Sequence, residues 1–313
     1  MWKLALVLAA IGGALIAMPA SPERVVKRFA RAEGMSGAIL VTGRGDDDDD
    51  APRIVAFGTG AGGRPLTPET VLPLASLSKP VTAAVVLRLV RSGRLSIDDR
   101  LADLVPEVAG AGDARYREIT VRHLLTHTAG LRWMPSPAGL FGPDVHCRDA
   151  ALALVDDPLL APPGEVQAYS NLGYCWLGIV IERVAGQRYE EEAADAGFDL
   201  AMTSPALWAA GGWSGRASAI FEALGGEIPP EALSRPLGAF GESYYGLGWH
   251  VAEGYLWHHG VFVGTSFAVA VRMPDGRNAV ALFAGSPGNP RQDASVLAGK
   301  LAASLRRRGW LGR

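Results

Sequence analysis

Leu72-Pro73-Leu74-Ala75-Ser76-Leu77-Ser78-Lys79-Pro80 runs straight into a pattern in which Val81, Val85, Val86, Leu89 and Val90 recur at helical period until Gly93 stops it. Ser76 therefore opens a buried helix. A serine and a lysine three apart on a helix project from one face, so a neutral amine at Lys79 is placed to take the proton of the Ser76 hydroxyl. The helix N-terminus adds free N–H groups and a positive potential, which favour the oxyanion formed when an acyl carbon is attacked. The apolar residues before Ser76 desolvate the amine and lower its pKa. The same S-x-x-K spacing also describes a capping serine followed by a surface lysine. Composition separates the two: among 30 Lys plus Arg, only Lys3, Lys27, Lys79 and Lys300 are lysines. Arginine cannot give up its proton in a protein. A base position demands lysine where this chain otherwise uses arginine.

Working outward, Ser21-Pro22-Glu23 reads as an N-cap, a first-turn proline and an early acid, opening a helix to about Ala32. Residues 37–42 and 53–59 read as strands, and the five acids at 46–50 between them as a solvated hairpin tip. Short helical patterns broken by Gly and Pro fill 97–188. A further helix spans about 216–224. Alternation returns in 255–263, 266–273 and 279–283, with Pro274-Asp275-Gly276 as a turn, and 293–305 is an amphipathic helix. Strands at both ends with helices between them predict an α+β fold: an antiparallel sheet flanked by N- and C-terminal helices, with a mainly helical domain inserted. The expected division is 21–95 with 210–313 for the sheet domain and 96–209 for the helical one.

A chain of 313 residues, 49% hydrophobic and 20% charged, has material for a sizeable core. Its net charge of -2 and the lack of a basic stripe interleaved with aromatics argue against a nucleic-acid partner. The cluster Arg306, Arg307 and Arg308 suits the last turn of a terminal helix. Residues 1–20 read as a signal peptide or N-terminal anchor, with Lys3 before an apolar run at 4–18 that is shorter than the ~20 residues of a spanning helix. The protein is expected to be exported, to the periplasm or the extracellular space, with a membrane tether through 4–18 left open. Cys147 and Cys175 have no metal spacing, and their pairing is open.

Leu74-Ala75-Ser76-Leu77-Ser78-Lys79-Pro80 resembles the nucleophile segment of class C serine β-lactamases, D-alanyl-D-alanine peptidases and related esterases. Further segments match in order: Ile119 through Leu131, with His123-Leu124-Leu125-Thr126-His127-Thr128-Ala129-Gly130; Pro163-Gly164 leading to Tyr169-Ser170-Asn171; Tyr245-Gly246-Leu247-Gly248-Trp249; and His258-His259-Gly260. The resemblance covers about 37–283. It implies the β-lactamase and penicillin-binding-protein fold, with Ser76, Lys79 and Tyr169 as catalytic residues and no metal or organic cofactor. It also implies that Asn171 holds a substrate amide or orients Lys79, and that the backbone N–H groups of Ser76 and Val261 form the oxyanion hole. Residues 258 and 260 share a strand face, so His258 points into the cleft, while Gly260 lets substrate approach. His259 faces the other way as a satisfied structural histidine. Tyr169, with a reference pKa near ~10, is expected to be lowered by the neighbouring ammonium.

Many relatives carry lysine where His258 stands. A histidine near ~6.5 is mostly neutral at pH 7 and offers no permanent cation to a substrate carboxylate. The expectation is an exported serine hydrolase acting on a small ester or a D-amino-acid amide or peptide. A silent cell-wall fragment sensor or scaffold and a true β-lactamase are the alternatives. His123 and His127 lie four apart, but Leu124 stands where a zinc peptidase has its glutamate, and no G-x-S-x-G occurs. Trp133, Phe141, Tyr244, Trp249 and Trp257 are candidates for an apolar acyl pocket.

Overall fold

The computed structural model describes residues 20–44, 51–132, 145–225, 230–239 and 243–306. The apolar N-terminal run, the acidic run at 46–50, Trp133, Phe141, Arg307 and Arg308 lie outside them.

Ser21 caps α1 (Pro22–Ala32), its Oγ accepting the Arg24 N–H at 3.3 Å. β1 (Gly37–Arg44) and β2 (Arg53–Gly58) pair antiparallel. β3 (Leu72–Pro73) leads through a tight 3-10 turn (Ala75–Leu77) into α2 (Ser78–Arg91). A helical stretch follows with α3 (Leu101–Leu104), α4 (Val121–Leu125), α5 (Cys147–Ala153), α6 (Asn171–Ala185) and α7 (Tyr189–Asp195). β4 (Ala201–Met202), α8 (Trp208–Gly211), β5 (Trp213–Gly215) and α9 (Ala217–Ala223) return the chain to the sheet. β6 (Tyr244–Tyr245), β7 (His250–Ala252), β8 (Tyr255–Phe262), β9 (Ser266–Arg272) and β10 (Arg277–Ala284) complete it, and α10 (Pro290–Arg306) closes the fold. Among the described residues no helix is long and apolar enough to cross a membrane.

The main sheet is seven-stranded and antiparallel, in the order β2-β1-β10-β9-β8-β7-β6, with a small β3-β5-β4 sheet beside it. Both faces of the main sheet are covered, which is why β1, β9 and β10 read as nearly continuous apolar runs. On one face Leu40, Phe267, Val269 and Phe283 pack with Val26, Leu297 and Leu301 of α1 and α10. On the other, Ile39, Val41, Ala268 and Ala270 join the larger core built on α2 and α6. This is the expected α+β architecture. Two short strands, β6 and β7, were beyond the reach of periodicity, because two or three residues cannot display an alternation. Cys147 and Cys175 form a disulfide that ties α5 to α6.

Candidate active site

Ser76 sits in the turn joining β3 to α2, partly exposed between the buried Ala75 and Leu77. Ala75 has φ 46°, a left-handed conformation that a residue with a Cβ adopts only when its surroundings enforce it. The enforcement comes from both sides. Leu74 N–H donates to Trp213 O at 2.9 Å, and the Ser266 hydroxyl donates to Pro73 O at 3.3 Å. From β8, Gly260 presses directly on the turn: a Cβ there would lie 1.9 Å from Leu74 O and 2.9 Å from Ser76 N. The expected role of Gly260 is corrected accordingly. Its missing side chain admits the nucleophile turn itself, so that β8 packs directly against it.

Lys79, the second residue of α2, is completely buried. Its Nζ donates to Asn171 Oδ1 at 2.7 Å and to Ala210 O at 2.6 Å, and lies 3.3 Å from Ser76 Oγ. Burial holds its pKa well below the usual lysine value. A neutral amine has two N–H groups and one lone pair. Asn171 Oδ1 and the Ala210 carbonyl can only accept, so together they occupy both N–H groups and leave the lone pair for the Ser76 hydroxyl. The Tyr169 and Tyr174 ring faces lie 4.8 and 5.4 Å from Nζ, ready for the ammonium form. Ser170, not Asn171, caps α6, its Oγ accepting the Gly173 N–H at 3.3 Å, which frees Asn171 to face the lysine.

The Ser76 side chain acts on the Tyr169 hydroxyl and favours its ionised form. Contrary to expectation, its pKa is raised rather than lowered: burial outweighs the Ser76 side chain and the field of Arg291. Tyr169 therefore stands as a protonated phenol beside an amine whose neutral form burial favours. His127 holds the tyrosine's backbone, its carbonyl accepting from Ala168 N–H at 2.8 Å and its Nδ1 from Ser170 N–H at 3.1 Å. The His127 ring lies 4.3 Å from that of Tyr169, and the residue keeps φ 59°. Its Nε2 is buried without a partner. Gln167 anchors the same segment to β6, donating to Thr126 O and Tyr245 O and accepting from Tyr245 N–H. His123 serves elsewhere, its Nδ1 accepting from Thr120 N–H in the cap of α4.

His258 shares a strand face with Gly260 as expected, but it is fully buried rather than presented to a substrate. Its Nδ1 lies 2.8 Å from the His259 carbonyl and its Nε2 2.9 Å from the Tyr245 hydroxyl. A carbonyl cannot donate, so Nδ1 carries the proton, and Nε2 accepts the Tyr245 O–H. Burial and the surrounding histidines hold the ring neutral, with its pKa well below 6.5. His259 is not satisfied as expected. Its Nδ1 has no partner, and burial pushes its pKa down to about 4. The aromatic acyl pocket is not assembled from the described candidates. Trp257 packs in the α1/α10 core, Trp249 lies under Arg272, and the Tyr244 hydroxyl donates to Leu233 O.

Three residues had no role assigned to them from the sequence. Ala210 contributes a main-chain carbonyl, which no residue type announces. Tyr245 shows its role only through its pairing with His258. Arg291, exposed at the start of α10 and far away in sequence, adds only a secondary electrostatic influence, behind burial, on Tyr169, His250 and His259.

A family model described as Beta-lactamase matches residues 23–241. Penicillin-binding protein 4 of Amycolatopsis lactamdurans is 32% identical over 178 residues, 54% of this chain and 44% of that protein. Esterase EstB of Burkholderia gladioli is 37% identical over 138 residues, 40% of this chain and 35% of that protein. The aligned part thus spans less than half the length of these curated relatives. Among solved structures, SurE with D-Leu superposes with a TM-score of 0.72 at 27% identity, covering 90% of this chain and 74% of that one. A β-lactamase/D-alanine carboxypeptidase from Yersinia pestis, complexed with citrate, shares the fold with a TM-score of 0.73 at 19% identity, covering 91% and 99%.

Proposed function

The chain belongs to the beta-lactamase family, and from that premise we propose that it is a serine hydrolase forming an acyl-enzyme at Ser76. The observation that carries the proposal is the buried Lys79 Nζ, 3.3 Å from Ser76 Oγ, with two further acceptors that would consume both N–H groups of its neutral form. In the proposed cycle Ser76 Oγ attacks a carbonyl carbon as its proton passes to Lys79 Nζ. The carbonyl oxygen becomes an oxyanion held by the Ser76 and Val261 N–H groups. The new ammonium is stabilised by Asn171, Ala210 O and the two tyrosine faces until its proton leaves, through the Tyr169 hydroxyl, on the departing oxygen or nitrogen. Water then attacks the acyl carbon, giving its proton back along the same route, and Ser76 is released.

The favoured substrate is a small ester or a D-amino-acid amide or peptide rather than a β-lactam. A neutral, buried His258 offers no fixed cation at the strand position, and the likeness to an esterase and to a structure solved with D-Leu supports that choice. Export is proposed on the apolar 4–18 run, and the Cys147–Cys175 bond supports it, since disulfides persist in oxidising compartments. The test is intact mass after exposure to a fluorophosphonate and, separately, to a penicillin. One fluorophosphonate adduct absent from Ser76→Ala, with slow or no penicillin turnover, is expected. Rapid cephalosporin turnover matching the best ester would make the chain a β-lactamase, and no adduct on folded protein would leave a silent binding protein.

A further inference from the structure

Tyr169 gives its proton to the leaving group in the cycle proposed above, yet it lies in a connecting segment, 160–170, that belongs to no helix or strand. A side chain on a loop is aimed only as well as its backbone is held. Three successive carbonyls hold this one. Those of Thr126, His127 and Thr128 accept from Gln167 Nε2 at 2.8 Å, Ala168 N–H at 2.8 Å and Gly164 N–H at 2.7 Å.

His127 reaches both sides of the tyrosine. Its carbonyl takes the amide of residue 168, its Nδ1 takes the amide of residue 170 at 3.1 Å, and its ring lies 4.3 Å from that of Tyr169. It does so from a left-handed backbone, φ 59°. A neutral imidazole has one acceptor nitrogen and one N–H. Because Nδ1 accepts the Ser170 amide, Nε2 carries the ring's proton and no lone pair remains to take another. Burial and the charge of Lys79 both oppose the imidazolium form, in which the Ser170 bond would be lost. A histidine beside a lysine and a tyrosine has the place of a proton carrier, but here its lone pair is committed to the backbone.

We infer that His127 is a positioning residue, which aims the Tyr169 hydroxyl at the leaving group by gripping the backbone on both sides of it and passes no proton itself. The inference rests on the acyl-enzyme reading of Ser76. What position 127 requires is an acceptor where Nδ1 stands, on a backbone at positive φ. Asparagine supplies both, its Oδ1 replacing Nδ1 and its backbone tolerating the left-handed region. Leucine has the shape of asparagine and no acceptor.

The test pairs kcat/KM for an ethyl ester, whose leaving group needs a proton, with that for a p-nitrophenyl ester, whose leaving group does not. His127→Leu should lose about 30-fold on the ethyl ester and less than about threefold on the p-nitrophenyl ester, His127→Asn should restore both to within about threefold of wild type, and His127→Leu added to Tyr169→Phe should cost less than about threefold more. If His127→Leu does not fold, His127→Gln, whose oxygen reaches past the Nδ1 position, takes its place. Equal losses on the two esters, an asparagine variant as impaired as the leucine one, or the full loss repeated on top of Tyr169→Phe overturns the inference. Amide hydrogen exchange at Ser170, followed by NMR, reads the grip without turnover: the amide should be protected in wild type and His127→Asn and exchange about tenfold faster in His127→Leu. Unchanged protection in His127→Leu overturns the grip whatever the esters show. A wild type that turns over neither ester overturns the hydrolase reading, and the exchange measurement then decides the grip by itself.

Discussion

At the scale of single residues, the site turns on one proton. Lys79→Arg keeps a positive charge but removes the lone pair, and is expected to slow fluorophosphonate labelling about 1,000-fold, measured as the rate of adduct formation. Because burial lowers the Lys79 pKa, the labelling rate should rise with pH as the amine deprotonates and reach its plateau well below the usual lysine range. The raised pKa of Tyr169 keeps the phenol from ionising across that plateau. Tyr169→Phe should cost about 100-fold with an alkyl ester and much less with a p-nitrophenyl ester, whose leaving group needs no proton, as read from paired kcat/KM values. The Ser76–Lys79 pair is legible in the sequence, because lysine is rare here and the spacing fixes the face. The state of His258 is not. Alternation gives its strand face, whereas its tautomer depends on Tyr245, thirteen residues earlier, and its neutrality on a burial that no local pattern encodes.

At the scale of elements, two junctions hold the site. β8 meets the nucleophile turn with no space for a methyl group at Gly260. Gly260→Ala is expected to cost about 3 kcal/mol or more and to abolish labelling, read from urea unfolding and intact mass. The disulfide between α5 and α6 closes a loop with a sequence separation of 28. Replacing both cysteines by serine should cost about 3–4 kcal/mol in the same unfolding assay. The long elements are legible from caps, apolar runs and turns: α1 begins at the Ser21-Pro22 signal, and β9 and β10 are apolar runs on either side of the Pro274-Asp275-Gly276 turn. The four-residue α8 is not, since it presents its Ala209 and Ala210 carbonyls to Thr82 and Lys79 only through contacts with distant parts of the chain.

At the scale of the whole molecule, the seven-stranded sheet and the larger core bury a set of histidines in the neutral form. Burial pushes His250 down to about 3 and His259 to about 4. In the unfolded chain these rings take up protons near 6.5, so between that value and their folded pKa values the unfolded state binds more protons. Their contribution to stability is complete above pH 6.5 and falls as pH drops, by up to about 1.4 kcal/mol per pH unit for each. Thermal melts should show a steady loss between pH 6.5 and 4, and His259→Gln should flatten it. The α+β architecture is legible because strands at both ends of the chain must meet across the inserted helices; the paired burial of the histidines is a product of that meeting. Ala75, His127 and Trp208, at φ 46°, 59° and 35°, are the non-glycine residues with positive φ among those described; Ala75 precedes Ser76, the His127 ring lies against that of Tyr169, and Trp208 stands two residues before Ala210, whose carbonyl accepts from Lys79. Such conformations cost on the order of 1–3 kcal/mol each. A directed-evolution campaign for heat resistance would thus find some of its cheapest gains, such as Ala75→Gly, at the positions where a relaxed backbone would let the nucleophile wander.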